Sequence, residues 1–222
     1  MHVLVLGGTI DGREVTRALT EAGHDVVTSL AGRTTAARRR AADTVIGGFG
    51  GPEGLARWLG AERIDAVVDA THPFASQMSH HAAAASSATG VPLLRLDRPG
   101  WVSHPRAGTW TWADDHAAAA AAAADLAGPG GRVLLTVGRQ PLGHYRGLAH
   151  VLARVAEMPR DARGDPPPQP PGWTIVEDRG PYELAAERGL LTREGIAVMV
   201  TKDSGAAATA AKLDAAAERG VP

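Results

Sequence analysis

Apolar residues along this chain gather in short runs, and the runs alternate with stretches of helical periodicity. His2–Leu6 is a continuous apolar run closed by two glycines, the pattern of a strand buried on both faces. Val15, Ala18, Leu19 and Ala22 then recur at i, i+3, i+4 and i+7, which predicts an amphipathic helix stopped by Gly23. Asp25–Leu30 predicts a second strand, Ala36–Ala42 a basic helical stretch and Thr44–Ile46 a third, short strand. Pro52 stands where a first helical turn tolerates proline, and it opens a helix through Leu59. Ile64–Asp69 and Pro92–Leu96 read as strands on either side of a helix from Phe74 to Thr89. Strand and helix alternating at this spacing predict a parallel, doubly wound sheet that binds its ligand at the strands' carboxyl edge.

The Pro- and Gly-rich segment RPGWVSHPRAG (98–108) marks a boundary between domains 1–98 and 99–222. Beyond it the alternation resumes. Strands are expected at Thr109–Trp112, Val133–Val137, Val151–Ala156, Thr174–Val176 and Ile196–Val200, and helices at Ala113–Ala127, Tyr182–Leu191 and Ala206–Arg219. The prolines of DPPPQPPG (165–172) suit a loop. Gly-Val-Pro stands at the end, where a parallel fold of this kind continues into one more strand. The fold class expected is α/β, with two Rossmann-like domains, parallel sheets and a ligand cleft between the domains.

Composition narrows the function classes. Hydrophobic content of 44% with 21% charged residues is an ordinary globular balance. A net charge of −1 gives no overall attraction to nucleic acid or an anionic membrane, so any anion must be met by local clusters of positive charge. Without cysteine there is no disulfide, thiolate nucleophile or Cys-ligated metal. No metal site is expected from the nine histidines either: none forms HExxH, and His80-His81 lacks a third ligand. The opening MHVLVLGG is too short for a signal peptide and no run of 18 apolar residues occurs, so a cytoplasmic protein is expected. Of the 23 basic residues only Lys202 and Lys212 are lysines, which leaves 21 arginines and makes two lysines ten residues apart conspicuous.

The chemistry gathers at predicted strand ends. VLVLGGTIDG (3–12) runs from strand through a glycine turn into a helix, where free amides and the helix dipole suit a pyrophosphate. Gly7 and Gly12 fit the outer positions of G-x-G-x-x-G, and Thr9 takes the place of the middle glycine, still able to offer hydroxyl and N–H groups. No acid stands near the end of the second strand, where an NAD enzyme places one for the ribose. Arg33, with Ser29 or Thr34, is positioned for a 2′-phosphate instead, so NADPH is the expected cofactor. DATHPFA (69–75) brings Thr71 and His72 to the same edge. Arg95 and Arg98 flank a turn with Trp101 and suggest a wall for a flat anionic ligand. Arg139, Arg179, Lys202 and Ser204 stand at further strand ends and helix starts, whereas Lys212 reads as structural or solvent-facing.

Taken in order, LGGT-x-x-G, DATHPFA, LRLDRPGW, GR after a buried strand, RGPY and TKDSG followed by KLDAA resemble the precorrin-6A reductase family of cobalamin biosynthesis. The resemblance spans nearly the whole chain. It implies a two-domain oxidoreductase that uses NADPH to reduce one double bond of precorrin-6A, a polycarboxylate macrocycle, by hydride delivery to C19 and protonation at C18, giving precorrin-6B. The expected cofactor set is then Gly7, Gly8, Thr9, Ile10, Gly12, Ser29, Arg33, Thr34, Thr71 and His72. The expected substrate set is Arg95, Arg98, Arg139, Arg179, Lys202 and Ser204. His72, Tyr182 and solvent stand as candidate proton sources, and a monomer is expected. A short-chain-type oxidoreductase would need Tyr-x-x-x-Lys, and neither Tyr145 nor Tyr182 has a lysine four residues on. A non-catalytic dinucleotide sensor would need no basic substrate site.

Overall fold

The computed structural model describes residues 1–30 and 44–222. The helical stretch expected at Ala36–Ala42, with Arg38–Arg40, and the candidate cofactor residues Arg33 and Thr34 lie outside the described residues. The chain divides into two compact units, Met1–Arg98 and Pro99–Pro222.

The first unit runs β1 (His2–Leu6), α1 (Ile10–Glu21), β2 (Asp25–Leu30), β3 (Thr44–Ile46), α2 (Gly51–Ala61), β4 (Ala66–Asp69), α3 (Ser76–Thr89) and β5 (Leu93–Arg95). The five strands described in its sheet are all parallel, in the order β3-β2-β1-β4-β5. Alternation along β1 divides the core between the sheet's faces. Leu4 and Leu6 pack with Leu55, Leu59 and Ala82, while Val3 and Val5 pack with Val15 and Leu19 of α1. A strand covered on both faces has no polar side, which is why β1 reads as an unbroken apolar run.

The second unit runs α4 (His116–Ala127), β6 (Arg132–Thr136), a 3-10 turn at Gln140–Tyr145, β7 (Val151–Val155), β8 (Trp173–Glu177), α5 (Leu184–Arg193), β9 (Ile196–Thr201) and α6 (Ala211–Arg219). Its parallel order, β8-β7-β6-β9, repeats the arrangement of the first four strands. Val133 and Leu135 face one core with Val151 and Val155, and Leu134 faces the other with Leu191 and Ala215. In each sheet the chain winds one way and then crosses over, so the strand order reverses between β1 and β4 and between β6 and β9. In such sheets a crevice opens at that reversal, beyond the carboxyl ends of the strands.

The strand expected at Thr109–Trp112 does not form. Ala107–Thr109 is a 3-10 turn closed by the Thr109 hydroxyl on Arg106 O, and Trp110 stacks on His104 at 4.9 Å. The residues suit a strand, but side-chain packing holds them in a loop. The alanine-rich helix begins at His116 because Asp115 caps it, accepting from the Ala118 amide at 2.8 Å. The last helix begins only at Ala211, after a 3-10 turn at Ala207–Thr209. At the final residue, Pro222 O accepts from Met199 N at 2.9 Å, which brings the chain back alongside β9.

Candidate active site

The turn after β1 leads straight into the amino end of α1. Thr9 is the N-cap of α1: its hydroxyl accepts from the Gly12 amide at 2.9 Å and donates to Ala70 O at 2.8 Å. The hydroxyl that the sequence offered to a phosphate is therefore committed to the fold. Four amides remain for a ligand, since those of Gly8, Thr9, Ile10 and Asp11 make no hydrogen bond among the described residues. They stand where the dipole of α1 favours negative charge. Gly12 has a steric reason to be glycine, because a Cβ there would lie 3.2 Å from Gly7 Cα and 3.4 Å from Ala70 O. Ser29, buried at the end of β2, accepts from Gly7 N through its carbonyl at 2.9 Å and holds the turn to its neighbour strand.

Across the β1/β4 reversal, the buried Asp69 carboxylate accepts from both the amide and the hydroxyl of Thr71, at 3.1 and 2.7 Å. Thr71 is thus held by Asp69, whose positioning role the sequence reading missed. His72 is half-buried, and its Nδ1 accepts from the Phe74 amide at 3.2 Å. In the neutral ring that bond leaves the proton on Nε2. Arg98 forms an ion pair with Asp11, in the first turn of α1, and is nearly buried there. Arg95 is exposed, 3.8 Å from Asp97.

The second unit gathers charge at its own reversal. Lys202 follows β9 directly, and its Nζ stands 3.8 Å from where a Gly138 side chain would begin, at the end of β6. Arg139 Nη1 donates to Glu157 O at 3.1 Å. Arg179 is exposed beyond β8, its amide bonded to Asp178, and Ser204 is buried in the loop after Lys202. Trp101 does not form an exposed wall. It is 9% exposed, and its amide donates to Asp203. A Cβ on Gly100 would lie 2.6 Å from the same carboxylate, so RPGW and TKDSG are one interlocked structure.

Beneath this edge lies a buried ionic group. Arg154 of β7 pairs in bidentate fashion with Glu187 of α5, at 2.5 and 3.0 Å, and stacks 3.8 Å over the Tyr182 ring. Burial raises the Tyr182 phenol above its ordinary value, and its hydroxyl already donates to Asp178 O at 3.1 Å. Both facts weigh against Tyr182 as a proton donor. Lys212 is 5% exposed, which corrects the solvent-facing alternative, and burial pushes its ammonium down to about 8. Two surface depressions of about 370 and 450 Å³ open at the opposite, amino edge of this sheet, around Gly131 and His150, and bring together none of these residues. Among the described residues no cluster of acids and histidines suits a metal, and no helix is long and apolar enough to cross a membrane.

The family profile described as Precorrin-6x reductase CbiJ/CobK matches residues 2–222. The chain belongs to that family. Precorrin-6A reductase of Rhodococcus erythropolis is 43% identical over 225 residues, covering 100% of this chain and 86% of its own length. Precorrin-6A reductase of Sinorhizobium sp is 40% identical over 224 residues, covering 99% of this chain and 82% of its own length. A solved structure of CobK precorrin-6A reductase superposes with a TM-score of 0.83 at 38% identity, covering 100% of this chain and 86% of that one. In this precorrin-6x reductase family member, the six motifs that carried the resemblance each follow a strand, after β1, β4, β5, β6, β8 and β9. Parallel strands deliver all six to the carboxyl edges of the two sheets. Sequence reasoning found these loops and missed the groups that brace them from below, Asp69, Asp203 and the Arg154–Glu187 pair. The signal for Asp69 was present, as the first residue of DATHPFA.

Proposed function

We propose that this protein is a precorrin-6A reductase, with NADPH bound by the first unit and the macrocycle's carboxylates gripped mainly by the second. The observation that supports it most is the placement of all six motifs at carboxyl sheet edges, with four amides that make no hydrogen bond among the described residues at the first sheet and Lys202 at the second. The amides of Gly8–Asp11 and the start of α1 fit a pyrophosphate, with Gly7 and Gly12 letting the turn pack closely against β2 and Ala70. Ser29, Arg33 and Thr34 are assigned to the 2′-phosphate, and Thr71 and His72 to the cofactor's far end. Arg95, Arg139, Arg179, Lys202 and Ser204 take the substrate's carboxylates. Arg98 is better read as a brace for α1, since it pairs with Asp11.

When bound, NADPH supplies the hydride, delivered to C19 of precorrin-6A, while a proton reaches C18. The chain's own work is alignment and charge: holding two rings within roughly 3–3.5 Å and neutralising carboxylates at the sheet edge. His72 presents Nε2–H and, with solvent, is preferred over Tyr182 as the proton source. The reading includes a cytoplasmic monomer, as suits an enzyme drawing on the cell's pool of reduced nucleotide.

The test compares NADPH and NADH oxidation with precorrin-6A for wild type and Arg33→Ala. Loss of a charge-assisted phosphate contact is expected to raise KM for NADPH roughly tenfold or more and leave NADH nearly unchanged. Equal losses for both cofactors would remove Arg33 from the 2′-phosphate.

A further inference from the structure

One group of side chains at the carboxyl edge of the second sheet has no role in the function proposed for this chain. His116 is the first residue of α4, whose amino end lies at the carboxyl edge of the second sheet. Its Nδ1 lies 2.9 Å from the hydroxyl of Tyr145, a side chain with no exposure at all. The His144 ring stacks on it at 5.8 Å. Burial is the first cause that holds the His116 imidazole below its ordinary value. The charges of Lys202 and His144 act the same way, and Asp115 opposes them.

Among the described residues, Asp115, His144, Tyr145 and Lys202 are the ionisable groups that act on this imidazole. α4 itself brings Asp115, the 3-10 turn brings His144 and Tyr145, and the loop after β9 brings Lys202. β6 brings only Arg132, which is paired with Glu194 at the strand's other end. Tyr145 is an unusual neighbour for a merely structural histidine. Burial pushes its phenol up to about 12, so it stays neutral, yet its oxygen can donate to Nδ1 or accept from Nδ1–H. The pair therefore accommodates both states of the ring without a change of partner.

We propose that His116 is a proton-coupled ligand of the substrate, which takes up one proton from solvent as a macrocycle carboxylate settles beside Lys202. The inference rests on the assignment of Lys202 to the substrate's carboxylates. A carboxylate at that position offsets the Lys202 charge and adds a negative one, and both changes favour the imidazolium. The added proton makes both ring nitrogens donors, Nδ1–H to Tyr145 and Nε2–H toward the anion. Binding and protonation then strengthen each other, as linkage requires.

Uroporphyrin, a stable octacarboxylate macrocycle, serves as the probe. Its binding is followed by titration calorimetry at about pH 7 in buffers of different ionisation enthalpy. Wild type is expected to take up roughly half to one proton per macrocycle, and His116→Asn, whose amide can still meet Tyr145, close to none. His116→Gln provides a second variant should the first fail to fold. Lys202→Ala is expected to weaken binding and to reduce the uptake. Binding that depends on Lys202 but takes up no proton in wild type, or the same number in the His116 variants, would overturn the role of His116 and leave the substrate reading intact. Failure of the macrocycle to bind, or binding indifferent to Lys202, would overturn both.

Discussion

Thr9 shows how one residue changes meaning between sequence and structure. In the sequence it is a departure from a glycine fingerprint. In the fold it is the N-cap of α1, tied also to Ala70 at the end of β4. Its side chain thus spans the β1/β4 reversal and sets the spacing of the amide cradle. Thr9→Ala removes a cap and a second hydrogen bond, together worth about 1–2 kcal/mol. Thermal unfolding is expected to shift down by roughly 2–8 °C. The backbone amides survive the substitution, so NADPH affinity measured in the cold is expected to fall less than fivefold. A loss of affinity as large as that from Arg33→Ala would mean the hydroxyl itself meets the phosphate.

At the scale of elements, α6 and α5 close over β7 through charge buried inside a small unit. Glu187 of α5 reaches Arg154 of β7, and Lys212 of α6 completes the group with a second positive charge. One acid between two bases leaves Lys212 the poorly compensated member. Burial, then Arg154, and further down Lys202, depress its ammonium to about 8, while Glu187 acts the other way. An unfolded lysine titrates at 10.5. The folded state therefore bears the cost of that charge in full below about pH 8 and is relieved of it as pH rises toward 10.5. Lys212→Met, which keeps the volume and drops the charge, is expected to stabilise the protein at pH 7 by up to about 3 kcal/mol. The advantage should fade between about pH 8 and pH 10.5, as read from urea unfolding at a series of pH values. Destabilisation by Lys212→Met at every pH would show that the ammonium is a net gain to the fold.

For the whole molecule, the controlling fact is two units, each with its own parallel sheet and its own pair of cores. A ligand confined to one unit stabilises that unit first. Saturation with NADPH at 100 times Kd adds about 2.7 kcal/mol to whatever opening exposes the site. Hydrogen exchange is therefore expected to slow in β1, the following turn and β4, with little change in β6–β9. Equal protection in both units would contradict the assignment of the cofactor to residues 1–98.

How much of this was legible in the sequence depends on the range of the interaction concerned. All nine strands among the described residues, and the glycine turn, were expected from local pattern, since a strand buried on both faces, such as β1, is apolar throughout and a sharp turn needs glycine. β4 and β5 are each two residues shorter than expected, Ala66–Asp69 in place of Ile64–Asp69 and Leu93–Arg95 in place of Pro92–Leu96. Thr109–Trp112 failed because local β propensity yields to packing that sequence pattern does not show, the Trp110 ring on His104 and the Thr109 hydroxyl on Arg106 O. The six motif loops were readable from their order along the chain. Their partners were not, because Asp11 meets Arg98, Asp203 meets Trp101, and Arg154 meets Glu187 across separations of 87, 102 and 33 residues. By itself, the sequence determined where the nine described strands lie and which loops carry positive charge. Only the tertiary structure decided which charges are already paired and which amides are left over, since pairing depends on distances that winding the sheets creates.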